Sequence, residues 1–204
     1  MPESHDTHHR KGKVVTAPRV LIINNGSLSI GPLRRKFERL GLETDVVPVA
    51  DAPVGLLGRH QALVLSGTKV PAHEGDYRHV VDLVLGSAVP TLGVCGGMHI
   101  LALAHGAKLA RGRQRVGTYP VDLDTGAGFL AGVKRNLSLF QRHTLYVDRA
   151  PDGFSVIGRA EDCPVEVILS DDGRILGTQA HLEFREDGFA LIRAFSRLLP
   201  VSVA

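Results

Sequence analysis

Short apolar runs alternate with segments of helical period along most of this chain, and this alternation constrains the fold more than any other feature. The apolar runs indicate strands at 19–23, 44–49, 62–65 and 89–92. Apolar side chains recur every three to four residues over 32–40 and 77–85, which indicates helices there. Strands that alternate with helices form a parallel sheet covered by helices. The sequence therefore predicts an α/β fold with a single open, mostly parallel sheet flanked by helices.

A lone thiol lies where the fourth strand gives way to the next helix. The sequence Gly-Val-Cys-Gly-Gly at 93–97 is followed over 98–105 by strong helix formers with apolar side chains at helical spacing. Cys95 is therefore predicted at a helix N-terminus, where unpaired amides and the helix dipole lower a thiol pKa and can bind an oxyanion. Cys95 is a candidate nucleophile. The alternative is a small buried apolar residue, as most free cysteines are.

A second candidate site lies between a predicted strand at 174–176 and a predicted helix at 189–195. His181 and Glu183 are two residues apart there, so on an extended segment both side chains would project to one face. A thiol nucleophile needs a base, and the base needs an orienting partner. His181 could accept the Cys95 proton while Glu183 holds the other ring nitrogen in the useful tautomer. The alternative is a solvated polar loop.

Small or polar residues directly follow several of the predicted strands. Asn24, Gly67 and Cys95 each come just after an apolar run. Because ligands bind at the carboxyl ends of the strands in open α/β sheets, we expect these residues at one edge of the sheet. From Val121 onward the pattern is less regular, which indicates an antiparallel region that reaches His181.

With both sites in hand, the chain resembles the class I (triad) glutamine amidotransferases and is most similar to the glutaminase part of GMP synthase. Residues 62–67 resemble the family's strand that ends in a Ser-Gly-Gly oxyanion loop, and residues 90–98 resemble its nucleophile elbow. His143 and the stretch 150–166 resemble the region ahead of the final motif. Residues 177–183, Gly-Thr-Gln-Ala-His-Leu-Glu, stand where the family has Gly-Val-Gln-Phe-His-Pro-Glu.

The resemblance implies a flavodoxin-like sheet with an antiparallel extension in its C-terminal half, and it implies a reaction. Cys95 would be the nucleophile, His181 the base and Glu183 its orienter. The backbone amides of Gly67 and Gly96 would form the oxyanion hole. The implied activity is release of ammonia from glutamine or a related γ-glutamyl amide through a thioester, for a separate ATP-dependent synthetase subunit.

Three positions depart from the family's pattern, although none removes a triad member. His99 stands where the family has a glutamine that helps hold the substrate, Thr68 replaces the second glycine of the oxyanion loop, and Leu182 replaces the usual proline. With His143, the residues His99 and Thr68 are candidate substrate-binding residues. His99 could instead fill polar space on its helix, bind a substrate other than glutamine, or pair as a cation with a carboxylate.

These departures leave two other functions open. One is a stand-alone hydrolase of a specialised amide that delivers nothing to a partner. The other is a catalytically silent relative that binds a ligand or a partner protein.

Length and composition predict one domain and exclude several classes of partner. The 204 residues with 44% hydrophobic content suffice for one large core over 18–204, whereas the polar stretch 1–17 has too little apolar surface to fold and is expected to be disordered. A net charge of +3 provides no concentrated basic face, so no nucleic acid partner is expected. No segment indicates membrane insertion or export.

The cysteines and glycine-rich stretches indicate neither a metal nor a cofactor. Two cysteines make no disulfide framework, which predicts a reducing, cytoplasmic setting in which Cys163 is a structural thiol. The histidines are scattered, so no zinc site is expected. Residues 26–31 lack the spacing of phosphate-binding loops, and the chain has no recognisable means of activating a substrate with ATP.

Overall fold

The computed structural model describes residues 17–52 and 56–200, so nearly all of the tail predicted at 1–17, and the last four residues of the predicted domain, lie outside the described residues. The elements are β1 (Arg19–Asn24), α1 (Ile30–Glu38), β2 (Glu43–Pro48), β3 (Ala62–Leu65), α2 (Arg78–Leu85), β4 (Thr91–Val94), α3 (Gly96–Ala104), β5 (Leu109–Leu123), β6 (Asn136–Val147), β7 (Phe154–Ala160), β8 (Cys163–Ser170), β9 (Ile175–Thr178) and α4 (Glu186–Ser196), with short 3-10 turns at Val49–Asp51, Leu56–Arg59 and Gly128–Leu130.

The described strands form one nine-stranded sheet in the order β2-β1-β3-β4-β9-β8-β7-β5-β6. The first five strands in this order are parallel, and every pair from β9 to β6 is antiparallel. This confirms the predicted α/β class, the single sheet and the antiparallel extension. The last strand of the chain, β9, lies in the middle of the sheet and joins its two halves.

The antiparallel region is longer than the sequence indicated. It begins at Leu109, at the start of the 15-residue strand β5, and not near Val121. Residues 111–114 are all exposed, so both faces of this part of β5 are open to solvent. A strand segment without a buried face lacks the apolar run by which the parallel strands were recognised.

The parallel strands carry the core because helices cover both of their faces. On β1, Val20 and Ile22 face the cluster formed with α1 and α4, whereas Leu21 and Ile23 face the cluster formed with α2 and α3. All four side chains are fully buried. Each such side chain contributes about 1.5–3 kcal/mol relative to an exposed position. Burial on both faces explains why these strands have continuous apolar sequences.

The ribbon of β5 and β6 curls back to the carboxyl edge of the parallel strands. The backbone N–H of His181 donates to the carbonyl of Phe140 at 2.9 Å, as part of a bridge just beyond β9. The ring of Phe140 also contacts the rings of His181 and Phe184, with centroids 6.3 and 5.0 Å away. Residues of β6 therefore border the edge of the sheet where strands β1, β3 and β4 end.

The longest described helix, α4, has 11 residues. Within the described ranges, no helix combines the length and the hydropathy that crossing a bilayer requires.

Candidate active site

Cys95 lies on a strained turn between β4 and α3, at the N-cap of the helix. Its φ of 51° and ψ of −111° are sparsely populated for a residue with a side chain and cost on the order of 1–3 kcal/mol. The turn is anchored because the Cys95 N–H donates to the carbonyl of Thr178 at 2.7 Å. As predicted, the thiol stands at a helix N-terminus, where the first N–H groups lack partners within the helix.

Glycines beside Cys95 allow α3 to pack directly against the sheet. A Cβ on Gly97 would lie 2.2 Å from the carbonyl oxygen of Leu65, and one on Gly93 would lie 2.8 Å from the carbonyl oxygen of Gly97. Both contacts are with backbone, which cannot rotate away as a side chain can. Close backbone contacts therefore fix the chain both before and after Cys95, and with it the position of the thiol.

His181 and Glu183 form the predicted pair, although not on an extended segment. Residues 182–183 form a turn, so the expectation of an extended strand there is wrong. The turn brings Oε1 of Glu183 to 2.8 Å from Nδ1 of His181. Glu183 is only 5% exposed, so water screens this interaction little.

The His181 imidazole also hydrogen-bonds the Cys95 thiol. Burial lowers the pKa of His181, but the hydrogen bonds to Cys95 and Glu183 outweigh burial and raise that pKa to about 10. Since Glu183 occupies Nδ1, the thiol faces the other ring nitrogen, Nε2. The imidazole thus connects a sulfur on one side with a carboxylate on the other, which is the arrangement that activates a thiol nucleophile.

The two predicted oxyanion-hole residues lie beside the thiol. A Cβ on Gly67 would be 3.4 Å from His181 Cε1 and 3.9 Å from Cys95 Cβ, so the Gly67 backbone borders both side chains. A Cβ on Gly96 would be 2.6 Å from the backbone nitrogen of Thr68. The loop after β3 and the start of α3 are therefore in direct contact beside the thiol.

Asn25 and Ser66 fix the oxyanion loop to the end of β1. The Asn25 N–H donates to Ser66 Oγ at 2.9 Å, and Asn25 Nδ2 donates to the Ser66 carbonyl at 3.0 Å. Ser66 Oγ donates onward to the Gly67 carbonyl at 3.0 Å. The sequence pattern singled out Asn24, whose side chain instead shapes the turn at 26–27. The sequence could also have indicated Asn25, because it is a second polar residue directly after the same apolar run.

His99 is 4% exposed and reaches the thiol only through Gln179. Its Nε2 lies 3.0 Å from Gln179 Oε1, and Gln179 Nε2 lies 3.9 Å from Cys95 Sγ. An amide oxygen only accepts hydrogen bonds, so Nε2 of His99 carries the proton. Burial lowers the pKa of His99, which keeps the ring neutral. Gln179 therefore belongs to the surroundings of the thiol, a role that the sequence pattern did not indicate.

His143 lies on β6 behind the site. Its Nδ1 donates to the carbonyl of Leu145 at 3.0 Å, and its buried Nε2 has no partner among the described residues. Burial first, and then the positive charge of Arg115, lower the pKa of His143 to about 4. The ring is therefore neutral at pH 7.

His143, Cys163 and Glu166 have donor atoms within 4.8 Å of one another. The carboxylate is already engaged, because it accepts hydrogen bonds from Arg115 Nη1 and, at 2.9 Å, from Gln141 Nε2. A metal ion would have to displace or approach the Arg115 guanidinium, so the cluster fits a buried ion pair better than a metal centre. Burial raises the pKa of Cys163 to about 12, as suits a structural thiol.

A cavity of about 360 Å³ opens over the thiol. Its lining residues are Gly26, Ser27, Leu28, Ser29, Gly67, Thr68, Lys69, Cys95, Phe140, Arg142, His181 and Phe184. Of the three candidate substrate-binding residues, Thr68 lines the cavity, whereas His99 and His143 are not among its lining residues. The volume is that of a small-molecule site.

A family model described as glutamine amidotransferase class-I matches residues 21–195 of the chain. One subunit of the glutamine-hydrolysing GMP synthase of Methanopyrus kandleri is 27% identical over 183 residues, covering 88% of this chain and 97% of that protein. The glutamine-hydrolysing GMP synthase of Thermus thermophilus is 31% identical over 167 residues, covering 80% of this chain and 33% of that enzyme.

Solved structures of two other proteins share the fold. The crystal structure of a GMP synthase subunit-like protein from Thermoplasma acidophilum superposes with a TM-score of 0.83 at 24% identity, over 90% of this chain and 94% of that one. A glutamine amidotransferase from Thermotoga maritima superposes with a TM-score of 0.74 at 22% identity, over 89% of this chain and 84% of that one. At these identities, the likeness is one of fold.

Proposed function

The chain belongs to the class I glutamine amidotransferase family, and from this premise we propose that it hydrolyses glutamine or a related γ-glutamyl amide and releases ammonia. The observation that carries the proposal is the connected triad. The imidazole of His181 hydrogen-bonds Cys95, and its Nδ1 lies 2.8 Å from Glu183 Oε1. Cys95 and His181 line one cavity, at a helix N-terminus, and Glu183 bonds the imidazole without lining that cavity.

In the first half of the reaction, Cys95 Sγ attacks the carbonyl carbon of the amide. A C–S bond forms, and the carbonyl oxygen becomes an oxyanion that the N–H groups of Gly67 and Gly96 stabilise. As the oxyanion collapses, the C–N bond breaks and the nitrogen takes a proton from His181, leaving as ammonia. Glu183 stabilises the positive charge of the imidazolium before this transfer.

In the second half, water attacks the thioester. His181, now neutral, accepts a proton from the water as its oxygen bonds to the carbonyl carbon. The C–S bond then breaks, which releases the carboxylic acid product and restores the Cys95 sulfur. The product loses its proton to solvent at neutral pH.

Replacement of the thiol tests the proposal. We expect Cys95→Ala to lower ammonia release by about 10⁴-fold or more while the melting temperature and circular dichroism stay unchanged, because triad members act as a unit. The matched control is Cys163→Ala, which removes the buried thiol outside the site and should keep turnover. Retained turnover in Cys95→Ala would contradict the proposal.

We also propose that a separate ATP-dependent synthetase uses the ammonia. The likeness to nearly the whole of the Methanopyrus subunit supports the role of a glutaminase that works with a synthetase. The two buried free cysteines fit a reducing, cytoplasmic setting for such a pair. Ammonia release that rises when a co-purified synthetase is added would support this arrangement.

The stand-alone hydrolase remains the second candidate, and the position of His99 favours it. The family's glutamine at that position helps hold the substrate, whereas His99 bonds to Gln179 and does not line the cavity. Ammonia release at an unchanged rate with and without synthetase would support this candidate. A silent binding protein is tested by labelling, since an active-site alkylator would then fail to mark Cys95.

A further inference from the structure

Tyr77 is a buried tyrosine whose hydroxyl reaches back across the loop between β3 and α2. The residue is the N-cap of α2 and is 7% exposed. Its hydroxyl donates to the carbonyl of Val70 at 2.9 Å, and the side chain of Thr68 also hydrogen-bonds Tyr77. We propose that Tyr77 is a positioning residue for the oxyanion hole, which it holds in place through Thr68 and Val70.

This inference rests on the proposed amide hydrolysis, in which the N–H groups of Gly67 and Gly96 stabilise the oxyanion. Tyr77 is not among the described residues that line the cavity over Cys95. Any effect of Tyr77 on the reaction therefore passes through the residues that it holds.

Thr68 connects the loop after β3 to the start of α3. A Cβ on Gly96 would lie 2.2 Å from Thr68 Oγ1, 2.7 Å from its Cγ2 and 2.6 Å from its backbone nitrogen. Both the backbone and the side chain of Thr68 therefore lie directly on Gly96. Because Gly67 is the neighbour of Thr68 in the chain and Gly96 is its neighbour in space, a shift of Thr68 would change the distance between the two amides of the oxyanion hole.

Backbone contacts hold the same loop from the side of β1. Thr68 pairs with Gly26 in an isolated bridge, and the Lys69 N–H donates to the Asn25 carbonyl at 3.2 Å. The Tyr77 hydroxyl holds the loop from the opposite direction, because it extends from the start of α2. The segment that follows Gly67 is thus fixed between two elements of the fold.

Tyr77 is itself firmly placed. It belongs to the hydrophobic cluster formed with α2 and α3, and a Cβ on Gly75 would lie 2.4 Å from its ring. Burial raises the pKa of Tyr77, and the hydrogen bond with Thr68 lowers that pKa to a lesser extent. The phenol therefore keeps its proton at neutral pH and can donate it to the Val70 carbonyl.

Removal of the hydroxyl alone tests the inference. Tyr77→Phe keeps the ring and its packing, but a displaced oxyanion donor loses part of an effect that is worth about 10²–10³ in rate. We therefore expect kcat for ammonia release from L-glutamine to fall by about tenfold, with KM changed by less than about twofold. The matched control is Tyr146→Phe, which changes a half-buried tyrosine of β6 that is not among the lining residues and should keep kcat.

Alkylation of the thiol distinguishes this role from a merely structural one. The reaction of Cys95 with iodoacetamide forms no oxyanion, so its rate in Tyr77→Phe should stay within about twofold of the native rate. A kcat equal to that of Tyr146→Phe overturns the inference. A loss of alkylation as large as the loss of kcat also overturns it, because Tyr77 would then act on the thiol or on the whole fold.

Variants of Thr68 test the other end of the contact and do not depend on the folding of Tyr77→Phe. Thr68→Val keeps the β-branch but removes the hydroxyl, so it should lower kcat as Tyr77→Phe does, whereas Thr68→Ser should keep most of kcat. Since both substitutions act on one contact, the double variant should lose little more than Tyr77→Phe alone. Losses that multiply in the double variant overturn the inference.

Hydrogen exchange separates this inference from the proposed function. In Tyr77→Phe, we expect the amides of residues 66–77 to exchange about tenfold faster than in the native protein, whereas those of β1 should not change. Unchanged exchange over 66–77 overturns the inference. Faster exchange there, in a protein whose native form releases no ammonia from glutamine, overturns the proposed hydrolysis but supports the role of Tyr77 in holding the loop.

Discussion

His181 is the residue that connects the other groups of the site. Its imidazole bonds Glu183 through Nδ1 and Cys95 through the other nitrogen, and Phe140 and Phe184 pack against its edges. The bonded partners raise its pKa, so a proton is retained on the ring at neutral pH. That proton is available to the leaving nitrogen without prior uptake from solvent.

Replacement of Glu183 tests how much the carboxylate contributes. Glu183→Gln keeps the size of the side chain but removes its charge, so we expect the pKa of His181 to fall below about 10 and kcat to drop by about 10²–10⁴-fold. The basic limb of the kcat/KM profile should move to lower pH. Glu186→Gln is the control, since this carboxylate is close in sequence but 76% exposed. An unchanged pH profile in Glu183→Gln would contradict the assigned role.

Gln179 bonds the Cys95 thiol directly, and His99 acts on the thiol by holding Gln179. We expect Gln179→Leu to slow alkylation of Cys95 at pH 6–7 by about three- to tenfold, because Cys95 Sγ loses a hydrogen-bond donor. His99→Leu should have a similar effect, since the amide of Gln179 would then be free to rotate. His99→Gln is the control because a glutamine can still donate to Gln179. Equal rates of Cys95 alkylation in all three variants would contradict this role and would mean that Gln179 serves only in packing.

The turn that carries Cys95 is the element that positions the chemistry. It depends on the backbone contact between Gly97 and Leu65, which sets the distance between α3 and β3. The positive φ of Cys95 is held by these contacts and by the hydrogen bond to Thr178. Strain at a nucleophile persists only where the surrounding structure is rigid.

A single methyl group should disturb this turn. Gly97→Ala places a Cβ 2.2 Å from the Leu65 carbonyl, and we expect it to lower the free energy of unfolding by about 1–3 kcal/mol. Turnover should fall as well, because α3 must shift away from the oxyanion loop. Gly128→Ala has open space around its Cβ, and urea denaturation should find it within about 0.5 kcal/mol of the native protein. Equal stability of the two variants would refute the packing argument.

The elements that the sequence predicted best are those buried on both faces. Strand β3 was predicted at 62–65 and is observed there, because its apolar run is bounded on both sides. The strand before Cys95 was expected at 89–92 but spans Thr91–Val94, since Gly93 pairs within the sheet and does not begin the turn. The arginine-rich part of β5 was not recognised, because residues 111–114 are all exposed and show no apolar pattern.

At the scale of the whole molecule, the buried polar groups behind the site couple stability to pH. His143 has a pKa lowered to about 4 from 6.5 by burial, so the unfolded chain binds a proton between these values and the folded chain does not. Its contribution to stability is therefore complete above pH 6.5 and is lost as the pH falls through about 4. The pKa of His181 is raised, so its contribution is lost only at alkaline pH.

Denaturation as a function of pH tests this assignment. Between pH 6.5 and about 4, we expect the free energy of unfolding to fall by no more than about 3 kcal/mol on account of His143. His143→Gln should flatten this part of the curve. The control is His73→Gln, which changes a histidine that is 41% exposed. A slope that is the same in both variants would assign the acid sensitivity to other groups.

The sequence predicted the single sheet and the three residues of the triad, but it could not predict what surrounds them. Motif spacing identifies Cys95, His181 and Glu183 because their chemistry is tied to residue type. The approach of Phe140 and Arg142 depends on how far the β5–β6 ribbon curls, which is decided by contacts distant in the chain. The sequence could not predict the burial of Arg115 beside Glu166 either, since charged residues are usually exposed.

The central position of β9 has a consequence for how the enzyme is made. Gln179, just past the end of that strand, is 84 residues from Cys95 along the chain, so contacts at the site form only after β9 has been synthesised. Parallel pairing between distant strands is slow, because loop closure opposes it. During translation, the nucleophile would leave the ribosome well before its base, and the nascent chain would remain catalytically inert until β9 inserts beside β4.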